Sequence, residues 1–136
     1  MKVYNEVITV SSTKRFEIID ITGYVEDEVR RSGVRNGVVT VFVPHATAAI
    51  IANEHEPRLL EDFIEAFKSL APPDRPWKHN IIDDNAHAHI IASIIGPSRQ
   101  FPLIDGRIMR GTWQNILLVE LDGPRTRKII IHIVGE

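Results

Sequence analysis

From Gly37 to Pro44 the chain reads GVVTVFVP, an unbroken apolar and β-branched run that stops at a proline. It lacks the alternation of a half-exposed strand and is far shorter than the roughly 18 residues of a membrane-spanning helix, so it is expected to be a strand buried on both faces. KIIIHIV, near the C-terminus, has the same character. The rest of the chain must supply the partners and the cover for such strands.

KVYNEVITV alternates as a strand does, and RFEIIDI follows it after the turn-like SSTK, which predicts a hairpin. Residues 20–33 predict an amphipathic helix, with Asp20 or Thr22 as cap, Val25 and Val29 facing inward and Gly33 closing it. HATAAIIANE is expected to form a strand. Leu59, Leu60, Phe63, Ile64 and Phe67 recur at helical spacing between Pro57 and a double proline, which predicts a second helix. PDRPWKHN reads as a loop, Asp105 and Gly106 as a turn, and the last 25 or so residues as two long antiparallel strands joined at DGPR. This order predicts an α+β fold, a mostly antiparallel sandwich with two to three helices, in one domain spanning residues 1–136.

Zero cysteines exclude disulfides, thiolate zinc sites and a cysteine nucleophile, so any metal must be held by histidine, carboxylate or water. The net charge of −2, with basic residues scattered apart from GPRTRK, gives no nucleic-acid footprint. No membrane segment is expected, and MKVYNEVITV lacks a signal-peptide core, which leads to the expectation of a cytoplasmic protein.

The chain has six histidines, two of them in DDNAHAHIIASIIG. Ile90, Ile91, Ile94 and Ile95 follow the period of one helical face, and Gly96 is a stop signal. A helix turns about 100° per residue, so His87 falls on the isoleucine face and His89 points away from it, beside Asn85, Ala92 and Ser93. The two cannot share one ion. His87 is expected to be buried with its ring nitrogens hydrogen-bonded.

His45 ends the Gly37–Pro44 run, where a rigid strand delivers a polar side chain to a rim, and His79 precedes the His89 helix. With His89 they are candidates for a three-histidine site of the catalytic zinc type, although spacing alone leaves a structural role open for each. Glu120 lies in an apolar strand and is either a general base or a paired buried carboxylate. Arg125 and Arg127 are placed to hold a phosphate or to pair with Glu120.

PHATAAIIANE, WKHNIIDDNAHAHIIASIIG, GRIMRGTWQNILLVE and DGPRTR together resemble the YjbQ-like family (UPF0047), whose members have been labelled secondary thiamine-phosphate synthases. The resemblance implies an α+β sandwich assembling as a homotrimer, with a metal-holding site near the subunit boundary. It places the metal ligands at His45, His79 and His89 and catalytic residues at Glu120, Asn85 and Thr47. Substrate-binding residues fall at Asn53, Glu54, Trp113, Gln114, Arg125 and Arg127. The chain departs from the family at Ala46, where a second threonine is usual, so any hydroxyl contact there is lost.

The family label implies joining two phosphorylated precursors with loss of diphosphate, for which magnesium would be the expected ion. Histidine ligands instead favour zinc. Three functions are therefore expected to compete: a weak thiamine-phosphate synthase, a zinc-dependent hydrolase of a small phosphorylated metabolite, and a non-enzymatic trimer that binds a metabolite.

Overall fold

The computed structural model describes all residues from Met1 to Glu136. In chain order the elements are β1 (Lys2–Ser11), β2 (Glu17–Asp20), α1 (Thr22–Ser32), β3 (Gly37–Phe42), β4 (Ala48–Asn53), α2 (Pro57–Leu70), a 3-10 turn (Lys78–Ile81), α3 (Ala86–Ile95), β5 (Ser98–Ile104), β6 (Arg107–Ile108), β7 (Asn115–Glu120) and β8 (Thr126–Gly135). Two antiparallel sheets form, one of five strands in the order β1-β8-β3-β5-β6 and one of three in the order β2-β7-β4. The α+β class and the three helices agree with the sequence.

The larger sheet turns Val39, Val41, Phe101, Ile129, Ile131 and Ile133 onto Ile50, Ile116 and Leu118 of the smaller one, and α1 adds Val25 and Val29 to the same core. The other face of the smaller sheet, through Ala49 and Val119, packs on Ala88, Ile91 and Ala92 of α3. Small side chains on both partners let helix and sheet approach closely. Gly33, in the left-handed region at φ 69°, closes α1. The N-cap of α1 is Ile21, not the expected Asp20 or Thr22; the Asp20 carboxylate, one residue earlier, accepts from the Thr22 backbone N–H at 3.0 Å and its hydroxyl at 2.6 Å.

Both predicted hairpins are corrected. β1 pairs with β8 and β2 with β7, so the turn between β1 and β2 passes from one sheet to the other. The DGPR segment does the same between β7 and β8, which lie in different sheets. Alternation and turn residues signal a strand and a bend but carry no information about the partner. The two-sided burial expected of β3 is also not found in the protomer, because Val38 and Phe42 remain 42% and 36% exposed. β7 is the strand covered on both faces, with every residue from Ile116 to Glu120 buried.

Candidate functional site

Three of the candidate residues meet around α3. Asn85, which is buried, donates from Nδ2 to the Asp122 carboxylate at 2.8 Å, and its Oδ1 lies 3.1 Å from Nε2 of His79. The carboxylate fixes which way the amide points, so the amide oxygen faces His79 and Nε2 must carry the proton. The Nδ1 lone pair of His79 is thereby left free. The His79 ring lies 5.1 Å from the His89 ring, centroid to centroid and edge-on. His89 stands half-buried on α3 and makes no side-chain hydrogen bond.

His45 follows β3 and shares with His89 a cavity of about 350 Å³, whose wall includes Phe42, Pro44 and Ser93. Its Nε2 accepts the backbone N–H of Lys128 at 2.9 Å, so Nδ1 carries the proton. Burial, and then the Arg127 guanidinium, lower its pKa below the ordinary histidine value, so the ring is neutral at pH 7. No three histidine or carboxylate side chains of one protomer converge on a single ion position. The predicted set of His45, His79 and His89 is therefore not assembled within one chain: His89 borders each of the other two, and His45 has used the nitrogen it would offer.

Glu120 is the centre of a buried network. Its carboxylate accepts from Ser12 Oγ (2.7 Å), the backbone N–H of Leu121 (3.0 Å) and of Asp122 (3.1 Å), and Nε of Arg127 (2.9 Å). Arg127, 3% exposed, also donates to the Thr47 hydroxyl at 2.9 Å. Glu120 has its acceptor sites filled and no exposed surface, and its partners Thr47 and Arg127 are buried with it. Together they lock β7, β8 and the loop before β4. The Arg127–Glu120 pairing expected from sequence is present, but it joins two sheets and not two neighbouring strands.

Arg125 is half-exposed and donates to the Asp122 carbonyl (2.8 Å) and carboxylate (3.0 Å). Asp122, which sequence reasoning passed over, is the hub that orients both Asn85 and Arg125. Its signal was its place in DGPR, two residues after a buried glutamate.

The remaining candidates lie elsewhere. Asn53 pairs with Asn115 at the end of the small sheet opposite the Ala48–Glu120 pair. Five residue steps at about 3.3 Å each place Asn53, Glu54 and the 111–114 loop roughly 17 Å from the histidine end. Asn53 accepts the Glu54 N–H at 2.8 Å, and Gln114 Oε1 accepts the Gly111 N–H at 2.6 Å, so both side chains brace local loops. Trp113 is 71% exposed.

His87 is fully buried, as predicted, and lies against Phe16, but neither ring nitrogen reaches hydrogen-bond geometry with a partner, the Leu121 backbone being the one that acts on it. The buried face of α3 includes Ala88 and Ala92, and Ile94 is exposed, so the helix is rotated from the face that the isoleucines alone define.

A sequence profile described as "UPF0047 protein YjbQ-like" matches residues 6–136. A UPF0047 protein of Methanothermobacter thermautotrophicus is 42% identical over 136 residues, covering 100% of this chain and 95% of its own. The UPF0047 protein YugU of Bacillus subtilis is 35% identical over 134 residues, 96% and 98% of the two chains. A crystal structure from Sulfolobus solfataricus P2, described as a protein of unknown function, superposes with a TM-score of 0.98 at 54% identity over 99% of each chain. One from Aeropyrum pernix K1 gives 0.96 at 47% identity, covering 98% and 99%. By full-length match in both sequence and fold, the chain belongs to the YjbQ-like UPF0047 family, whose function is uncharacterised.

Proposed function

We propose that the protein is a metal-dependent hydrolase of a small phosphorylated metabolite, with His79 and His89 as the ion's ligands within a protomer. The observation that carries this reading is the Asp122–Asn85–His79 relay. A ring nitrogen tied to a hydrogen-bonded acceptor, with the other lone pair free beside a second uncommitted imidazole, is how metal-binding histidines are oriented. The donor set fits zinc better than magnesium. A bound ion would supply Lewis-acid polarisation of a phosphoryl oxygen. His45, neutral with its proton on Nδ1, would donate to an anionic oxygen in the cavity it shares with His89, and Arg125 would add positive charge beside Asp122.

The site is completed by further copies of the chain, in a homotrimer. Two features support this. The candidate residues lie at two ends of the small sheet and are not brought together within one protomer. The uncovered face of the larger sheet carries apolar cross-strand rows, Val3-Val134-Val38 and Val7-Ile130-Phe42. Ile81 and Ile82, beside His79, are 86% and 82% exposed. Apolar surface of this extent marks an interface.

Elemental analysis of protein purified without chelator should find zinc, lost in His89→Ala, together with hydrolysis of phosphorylated metabolites. Full activity in metal-free protein would refute the reading. The half-exposed Arg125 also favours thiamine-phosphate synthesis as a second reading, since that chemistry needs a cation for the departing diphosphate. An assay with both precursors that gives no product above a heat-killed control removes it. A formed pocket that binds but turns over nothing would leave the metabolite-binding trimer. No helix is long and apolar enough to cross a membrane.

A further inference from the structure

The largest cavity of the protomer, about 630 Å³, holds none of the histidines. Its wall includes Glu26 and Arg30 of α1, Arg35 before β3, Asp105 at the turn, Arg107 of β6, and Arg110. β3 and β5 run antiparallel with Gly37 opposite Leu103 at this end and Phe42 opposite Ser98 at the other. The six residues of β3 therefore separate the cavity from His45 by roughly 20 Å.

The side chains of this cleft are partly fixed and mostly unpaired. Arg35 donates from a terminal guanidinium nitrogen to the Asp105 carbonyl at 3.3 Å, and its own carbonyl accepts the Gly106 N–H at 2.8 Å. Arg110 donates to the Gln114 carbonyl at 2.7 Å. The Arg107 backbone pairs with Ile104 in the sheet, but its side chain makes no hydrogen bond or ion pair. Of the four arginines only Arg30 has a carboxylate within ion-pair distance, that of Asp27. Glu26 and Asp105 line the same cavity, yet neither closes a salt bridge with these guanidiniums.

Four arginines and two carboxylates line one cleft of a chain of net charge −2, and this local excess of positive charge favours an anion. A guanidinium fork matches a phosphate bidentately, and a free carboxylate accepts from hydroxyl or amino groups. The volume lies within the range of about 300 to 1,000 Å³ typical of small-molecule sites. We propose that this cleft is a second binding site, distinct from the histidine site, for a phosphorylated metabolite that also carries hydroxyl groups, a nucleotide or a sugar phosphate. The arginines take the phosphate, and Glu26 and Asp105 take the hydroxyls.

The test is calorimetric titration of the intact chain at low ionic strength with ADP, ribose 5-phosphate, inorganic phosphate and adenosine. ADP or ribose 5-phosphate should bind saturably and at least tenfold more tightly than phosphate or adenosine. Affinity for the better ligand should fall at least tenfold in Arg107→Gln and in Arg110→Gln, and stay within twofold in His89→Ala. The Arg107 side chain has no intramolecular partner, so an unchanged thermal midpoint in Arg107→Gln is expected and separates lost binding from lost folding. ADP binding better assigns a nucleotide, and ribose 5-phosphate binding better assigns a sugar phosphate. The proposal is overturned if neither ester binds saturably, if inorganic phosphate binds as well as both, or if His89→Ala abolishes binding that Arg107→Gln retains.

Discussion

Replacing His87 by leucine should stabilise the protein, and increasingly so as the pH falls. The ring is 0% exposed and packs at 5.4 Å between centroids from Phe16; the Leu121 backbone lies near enough to favour the protonated ring, but neither nitrogen reaches hydrogen-bond geometry. A buried unpaired polar group costs about 1–3 kcal/mol, and a volume-matched apolar replacement gives back at most about 1.5 kcal/mol through imperfect packing. A net gain of about 1 kcal/mol at pH 8 follows. Burial, and then the Arg15 charge, lower the His87 pKa in the folded state below its ordinary value. The unfolded chain, with a histidine pKa of about 6.5, then binds the proton first, so wild-type stability falls as the pH drops below about 6.5 and continues to fall until the folded pKa is reached. The gap between variant and wild type should therefore widen as the pH falls from 8 to 5.5. Urea denaturation followed by tryptophan fluorescence, at one fixed protein concentration because an oligomer's apparent stability depends on it, measures both values. A variant less stable than wild type at pH 8, or a gap that does not change between pH 8 and 5.5, would show that the ring nitrogens are satisfied and the reasoning wrong.

Glu120→Ala strips the partner from Arg127 and leaves a buried guanidinium, so it should cost about 3–5 kcal/mol in the same denaturation assay, with Glu120→Gln costing less. Gly123→Ala places a methyl group 2.2 Å from the Lys14 carbonyl and 2.6 Å from Ser12 Oγ; the backbone must shift, and a lowered thermal midpoint by scanning calorimetry is expected. Asp122→Ala frees the Asn85 amide to flip and should lower metal affinity about 10- to 100-fold by competition with a chelator, while His45→Ala leaves the metal content unchanged. If the proposed trimer forms through this face, Phe42→Asp, which puts a charge in an exposed apolar row, should lower the mass measured by light scattering relative to wild type; an unchanged mass would refute that interface.

Much of the local structure was legible in the residues. The α2 span follows from Leu59, Phe63 and Phe67 at helical spacing behind Pro57, and the separation of His87 from His89 follows from the helical period, because both depend on contacts within a few residues. The family motifs marked His79, Asn85 and His89 before their geometry was known. Strand partners were not legible. Ser11 meets Thr126 and Glu17 meets Glu120 because two sheets pack face to face, and an alternating pattern fits either sheet equally well.

The sequence by itself determined the helices, the strand segments and the turns at Gly33 and Asp105-Gly106. Tertiary structure alone decided that Glu120 is sealed inside a network with Ser12, Thr47 and Arg127, that Asp122 aims Asn85 at His79, and that four arginines from separate segments border one cleft. The physical reason is the same for each: hydrogen bonds and charge clusters between residues distant in the chain depend on how sheets stack and register, which no local periodicity encodes.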